Sequence, residues 1–438
     1  MDIFVKYVLY SLSILCISIF GVFISTKRSS FLSGVNGLNM MSLLFLGIGP
    51  FCYLFYQIDE RPDKIVSGIM IIKLFAEIAP YFIIGYVFSL VLQVLLKRVH
   101  ERNTEEIDLI HADERLLNKV KLLFFILSIT GYQLAQLEIS SSGLGTVFPV
   151  LKSFLYPNMV LSIYTLNFRK KESVFLALLI CLVGLYFAVT SWWRSELIMA
   201  FGAIVSGLLL QSKKAIIPVV ILGVVGIMYV LPFQQVKKID YEKTKENLGG
   251  VFVKTLNLTY EERLAFASMF FAERINYGRE LAYAQNGINK RYLEYRYGMS
   301  YVEIFLQLIP RVVWAEKPSF NTYNNRERAR RLGLIGEEDE STAWGVNIYA
   351  DFILNFSYKW LILFVPLIML LFRELDKLAY NFSENVVIRF IITSTLFFIS
   401  FEMVSLLYTS TFILWCFIMA KLMEHSLRVK WQRTFKVR

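Results

Sequence analysis

Apolar runs of about 18 residues or more, each long enough to cross a bilayer as a helix, recur along this chain and leave it few choices of fold. We place about eleven of them, near residues 3–25, 36–57, 69–96, 120–138, 144–166, 173–190, 195–211, 215–233, 347–372, 386–402 and 404–421. The expected fold is an all-α polytopic membrane protein. Only 18% of the residues are charged, against about 25% in a soluble domain, which agrees. The first run is read as a retained helix and not a secretion signal, because no small-residue cleavage site follows it. The spans divide the chain into an N-terminal bundle of about eight helices (1–233), one large charge-dense loop (234–346), and about three further helices with a basic tail (347–438). A loop that long inside a compact protein is functional or disordered. Its many Tyr, Phe, Leu and Ile residues argue against disorder.

Lys and Arg in short loops mark the cytoplasmic side, and here they alternate. One set of loops holds Lys27 and Arg28, the cluster from Lys97 to Lys121, then Arg169, Lys170 and Lys171, then Lys213 and Lys214, and finally Arg373 and Lys377. The opposite loops are poor in them. This pattern puts the N-terminus outside, the C-terminus in the cytoplasm, and the 234–346 loop outside. The formal net charge of +11 therefore reports orientation, and no nucleic-acid partner is expected. Cys16, Cys52, Cys181 and Cys416 each fall in an apolar run, where cysteine behaves as a small hydrophobe; no CxxC or His/Cys spacing implies a metal.

Ionisable residues within spans are costly and face a bundle interior or a watery cavity. Lys73, Glu77, Glu138, Asp351 and Glu402 all map to the loop side of their spans, which predicts a polar cleft opening beneath the loop. For Lys73 and Glu77 the plainer alternative is an i,i+4 pair tying one helical turn. Lys152 has no evident local partner.

Within the loop, residues 260–285 carry Leu264, Phe266, Phe270 and Phe271 among charges, a pattern that suits an amphipathic helix lying on the bilayer as a roof over the cleft. Arg274 stands beside its densest apolar stretch. Further on, Gly298-Met299-Ser300-Tyr301 leads into an apolar run, 302–309, too short to span. Pro310 and Pro318 punctuate the chain there, so a re-entrant or interfacial helix ending in a rigid turn is expected. Arg311 and Lys317 bracket Trp314 on that turn. The arginines at 326, 328, 330 and 331 read as a solvated face balanced by the acidic run at 337–340.

Three segments, Gly298-Met299-Ser300-Tyr301, Ile309-Pro310-Arg311-Val312-Val313-Trp314-Ala315-Glu316-Lys317-Pro318 and Tyr349-Ala350-Asp351-Phe352, resemble the pattern of the Wzy-type oligosaccharide repeat-unit polymerases. The resemblance covers residues 298–356; elsewhere it rests on span count and one large external loop. It implies inverting glycosyl transfer at the outer face of the bacterial cytoplasmic membrane, where a growing glycan on undecaprenyl pyrophosphate is moved to the next lipid-linked repeat unit. Membrane lipids, a flippase and a chain-length regulator are the implied partners. A pyrophosphate leaving group needs fixed cations, for which Arg311, Lys317, Arg274 and Arg194 are candidates; Trp314 and Tyr301 are candidate sugar-stacking residues. The three histidines, His100, His111 and His425, map to the cytoplasmic side, so a carboxylate has to serve as base. Glu273, Glu77, Glu316 and Asp351 are the candidates. No cofactor or metal is implied. Two other readings remain open at this point: an O-antigen ligase, and a lipid-linked oligosaccharide flippase.

Overall fold

Where they are described, the apolar runs fold as helices, and no strand occurs among the described residues. The computed structural model describes residues 2–26, 32–53, 68–97, 114–136, 151–190, 194–212, 215–239, 248–274, 276–299, 301–302, 314, 330, 347–382, 386–401, 413, 417–418 and 421–422. Five helical stretches among them are long and apolar enough to cross a membrane: Ile3–Ile24, Gly34–Tyr53, Gly68–Leu95, Lys171–Thr190 and Ile217–Lys237. Met199–Gln211 and Val387–Phe398 are shorter apolar helices.

In chain order, α1 is Ile3–Thr26, and α2 (Gly34–Met41) runs through a π-helical segment, Ser42–Ile48, into α3 (Gly49–Tyr53). α4 is Gly68–Lys97, α5 Glu114–Gln136, α6 Leu155–Tyr164, α7 Lys171–Thr190 and α8 Arg194–Gln211. α9 (Ile216–Val225) passes through a second π-helical segment, Gly226–Val230, into α10 (Leu231–Ile239), so this helix continues unbroken across position 234. α11 (Leu248–Leu256), α12 (Tyr260–Arg274) and α13 (Tyr277–Asn289) follow, then α14 (Ile348–Asn355), α15 (Leu361–Phe382) and α16 (Val386–Phe401).

α4 is the axis that positions the candidate site. Pro80 lies inside it without ending it, and α1, α13 and α15 pack around it. α2 packs against α16, and α6 against α7 and α8. At one end of the bundle the Tyr7 hydroxyl donates to the Pro50 carbonyl at 2.9 Å, and Tyr277 of α13 stacks on Phe45 with ring centroids 4.4 Å apart. α13 comes in so closely that a Cβ on Gly278 would meet the Phe75 ring at 2.7 Å and Pro50 at 2.9 Å. At the opposite end Asp376 of α15 accepts from the backbone N–H groups of Gly34 at 2.7 Å and Val35 at 3.1 Å. A carboxylate so placed satisfies orphan donors at the start of α2 and opposes its positive dipole end.

Two expectations change. Residues 260–285 do not form one surface helix. Asn276 starts a new one, its side chain accepting the Arg279 N–H at 3.0 Å, and α13 turns inward, with residues 281–287 buried. The span expected at 347–372 is likewise two helices, α14 and α15. Phe356 leaves the helix at φ −127° and ψ −88°, and Ser357 is extended. The reason is local packing: the Phe356 ring turns to Phe352, at 5.1 Å, and to Tyr301, at 6.0 Å.

Candidate functional site

Around residues 71–79 of α4 every side chain is buried except Lys73 and Glu77. The two continue a strip of α4 that stays uncovered along the helix, through Ile69, Ile84, Phe88 and Val91, and they place charge on it. Among the described residues neither Lys73 nor Glu77 makes a hydrogen bond or an ion pair, so the plain pair that ties one turn is not formed. One turn further along, Tyr81 meets Tyr358 edge to face at 5.2 Å. Tyr358 lies within electrostatic reach of Glu77, Tyr81 and Tyr295. An accessible carboxylate thus sits against a group of tyrosines, with one lysine a turn away.

Residues 295–299 and 301–302 lie along α14. The backbone N–H groups of Arg296 and Tyr297 donate to the carbonyls of Leu354 at 3.1 Å and Asn355 at 2.9 Å. These bonds tie the segment to the last turn of α14, where helical carbonyls are otherwise orphaned. The tie holds Tyr297 at φ +46° and Gly298 at φ +86°. A non-glycine residue at positive φ is strained and persists only where its surroundings over-determine it. At Gly298 a side chain would also meet the Phe356 ring, at 3.3 Å from the added Cβ. Tyr301 packs beneath. Burial pushes its hydroxyl well above the usual tyrosine range, and the nearby Asp351 charge adds to this. The hydroxyl is buried with no hydrogen-bond partner among the described residues.

α14 is buried along its whole length and is fixed at its start by Asn347. The Asn347 side chain accepts the Ala350 N–H at 2.9 Å, while its backbone N–H and side-chain Nδ2 both donate to Glu280 of α13, at 3.1 and 2.6 Å. Asp351 stands in the first turn, 4% exposed. It is therefore an interior carboxylate; of the two candidate bases whose side chains are described, Glu77 is exposed and Asp351 is not.

Of the other candidates, Glu273 and Arg274 close α12 and Arg194 opens α8. Trp314 is half-buried in irregular structure. Arg311, Glu316 and Lys317, with the expected re-entrant run, lie outside the described residues. Lys152 does have a partner: its Nζ donates to Glu196 of α8 and sits 5.1 Å from the Tyr132 ring centre. Lys237, whose Nζ donates to the Val189 carbonyl at 2.7 Å, is within electrostatic reach of the same Glu196.

Sequence reasoning did not single out Tyr81, Tyr295, Tyr358, Glu280 or Glu196. Tyr81 was within reach of it, four residues after Glu77 and hence on the same helical face. Comparison with family models, curated proteins and solved structures finds no match to this chain.

Proposed function

We propose that this chain is a multi-pass protein of the bacterial cytoplasmic membrane that polymerises undecaprenyl-pyrophosphate-linked oligosaccharide repeat units into a surface polysaccharide. In this reading about eleven helices cross the bilayer, the N-terminus is outside, the C-terminus is cytoplasmic, and the end of the bundle bearing Glu77 faces outwards. An acceptor sugar hydroxyl attacks the anomeric carbon of the growing chain from the side opposite its pyrophosphate. The new glycosidic bond forms, the anomeric C–O bond breaks, and the lipid pyrophosphate leaves with the electron pair. The hydroxyl proton passes to Glu77, which is accessible and unpaired among the described residues, as a general base needs to be. Tyr81, Tyr295 and Tyr358 offer ring faces and hydroxyls to the sugars, and Lys73 offers charge to a phosphate. Arg311 and Lys317 complete the pyrophosphate clamp from the proline-bounded turn, supported by Arg274 and Arg194. Membrane lipids, a flippase and a chain-length regulator are its partners.

The observation that carries the reading is an exposed carboxylate, Glu77, set within a helix of membrane-spanning length and within electrostatic reach of Tyr358. The packing of Arg296, Tyr297 and Tyr301 on the end of α14 adds to it, since these lie in or beside two of the segments on which the resemblance rests. Deleting the gene tests it. Loss of a polymerase leaves single repeat units on the outer surface, whereas their absence there would indicate a flippase.

A further inference from the structure

The segment between the two long stretches of spans contains an apolar surface that the bundle leaves uncovered. α11 and α12 form a helical hairpin packed on α10. One side of it is occupied: Val251, Leu258 and Phe266 pack with Phe233 and Val236 of α10. The other side is open, with Phe252 57% and Tyr260 68% exposed and Val253, Leu256 and Leu264 exposed beside them. So contiguous an apolar face marks an interaction surface.

The neighbouring span says what covers it. Arg263, in the first turns of α12, lies over the Tyr229 ring at 4.3 Å and donates to the Leu256 carbonyl at 2.6 Å. Tyr229 is in the span Ile217–Lys237, eight residues before its end, or about 12 Å along a helix at 1.5 Å per residue. The hairpin turn is thus fastened alongside the span and does not stand clear of its end. Ile221 and Val224 continue the exposed apolar strip further down the same span.

We propose that the α11–α12 hairpin is seated in the loop-side leaflet of the membrane, with Phe252, Val253, Leu256, Tyr260 and Leu264 against lipid acyl chains. Arg263 locks it to the span through Tyr229. The bilayer contact expected of residues 260–285 therefore moves to α11 and the start of α12, while α13 belongs to the bundle interior. The proposal rests on the membrane reading alone and not on glycosyl transfer.

Nitroxide accessibility in the full chain tests it. With Cys16, Cys52, Cys181 and Cys416 replaced by serine, single labels are placed by Phe252→Cys, Leu256→Cys, Ile221→Cys and Glu261→Cys in phosphatidylethanolamine and phosphatidylglycerol vesicles. Oxygen should relax the labels at 252 and 256 several-fold more than a water-soluble nickel chelate does, as at 221, with the reverse at 261. Nickel access at 252 and 256 equal to that at 261, with 221 still lipid-like, overturns the proposal. Low access to both reagents at 252 and 256 also overturns it, by showing a protein surface there. Nickel access at 221 overturns the membrane reading itself.

Discussion

Glu280 accepts both donors of Asn347, the backbone N–H at 3.1 Å and the side-chain Nδ2 at 2.6 Å, with the same carboxylate oxygen. Asn347 in turn caps α14, so one carboxylate on α13 sets where α14 begins and where Asp351 and Phe356 lie. Glu280→Ala leaves two part-buried donors without their acceptor, at a cost of about 1–3 kcal/mol each. Glu280→Gln keeps a carbonyl oxygen in place. We expect the alanine variant to melt several degrees lower in detergent and to lose polymer formation, and the glutamine variant to keep most of both.

Gly298 is held at φ +86° above the Phe356 ring. Gly298→Ala adds a left-handed conformational cost of about 1–2 kcal/mol and a tight contact. Phe356→Ala removes that contact together with the ring's packing on Phe352 and Tyr301, so it is the reference for the double variant. The double variant should melt below Phe356→Ala alone; equal melting temperatures would mean that crowding and not backbone conformation explains the glycine.

The Lys152–Glu196 pair joins α8 to the segment leading into α6, with side chains 22% and 10% exposed. Removing one partner of a buried ion pair costs about 3–5 kcal/mol because the other charge is left behind, whereas replacing both by apolar residues of similar volume is often neutral. Lys152→Met and Glu196→Leu should each lower the melting temperature. The double variant should recover most of the loss, as a double-mutant cycle would show.

The carboxylate of Glu262 is held below its ordinary pKa by the Thr259 backbone N–H and then by the Thr259 hydroxyl, at 2.7 and 3.0 Å. A depressed carboxylate stabilises the fold above its unfolded pKa, and that contribution is lost as pH falls through the folded value. The first turn of α12 should accordingly fray on acidification. Amide hydrogen exchange at residues 262–264, corrected for the intrinsic pH dependence, should lose protection below the ordinary carboxylate range, and Glu262→Ala should remove the pH dependence.

The helical class was legible because a bilayer permits few alternatives, and Lys73 and Glu77 stood out because ionisable residues within a span are costly. The break at Asn276 was less so: apolar and charged residues alternate across it with no proline, and the capping preference of asparagine with Gly278 two residues on gives only a weak hint of a new helix start. The partnership of Lys152 with Glu196, 44 positions apart, and the nearness of Glu77 to Tyr358 depend on how helices pack, which no local pattern encodes. The break at Phe356 is of the same kind, since it is the ring packing around Gly298 and Tyr301 that ends α14.

The most direct test of the central claim is in vitro. Purified wild-type chain in lipid vesicles, supplied with undecaprenyl-pyrophosphate-linked repeat units, should give a polymer ladder, and Glu77→Gln at equal reconstitution should leave single units, a loss of at least about 100-fold on the scale of general base catalysis. A full ladder from Glu77→Gln would contradict the site, and no ladder from active, correctly inserted wild-type protein would contradict the function.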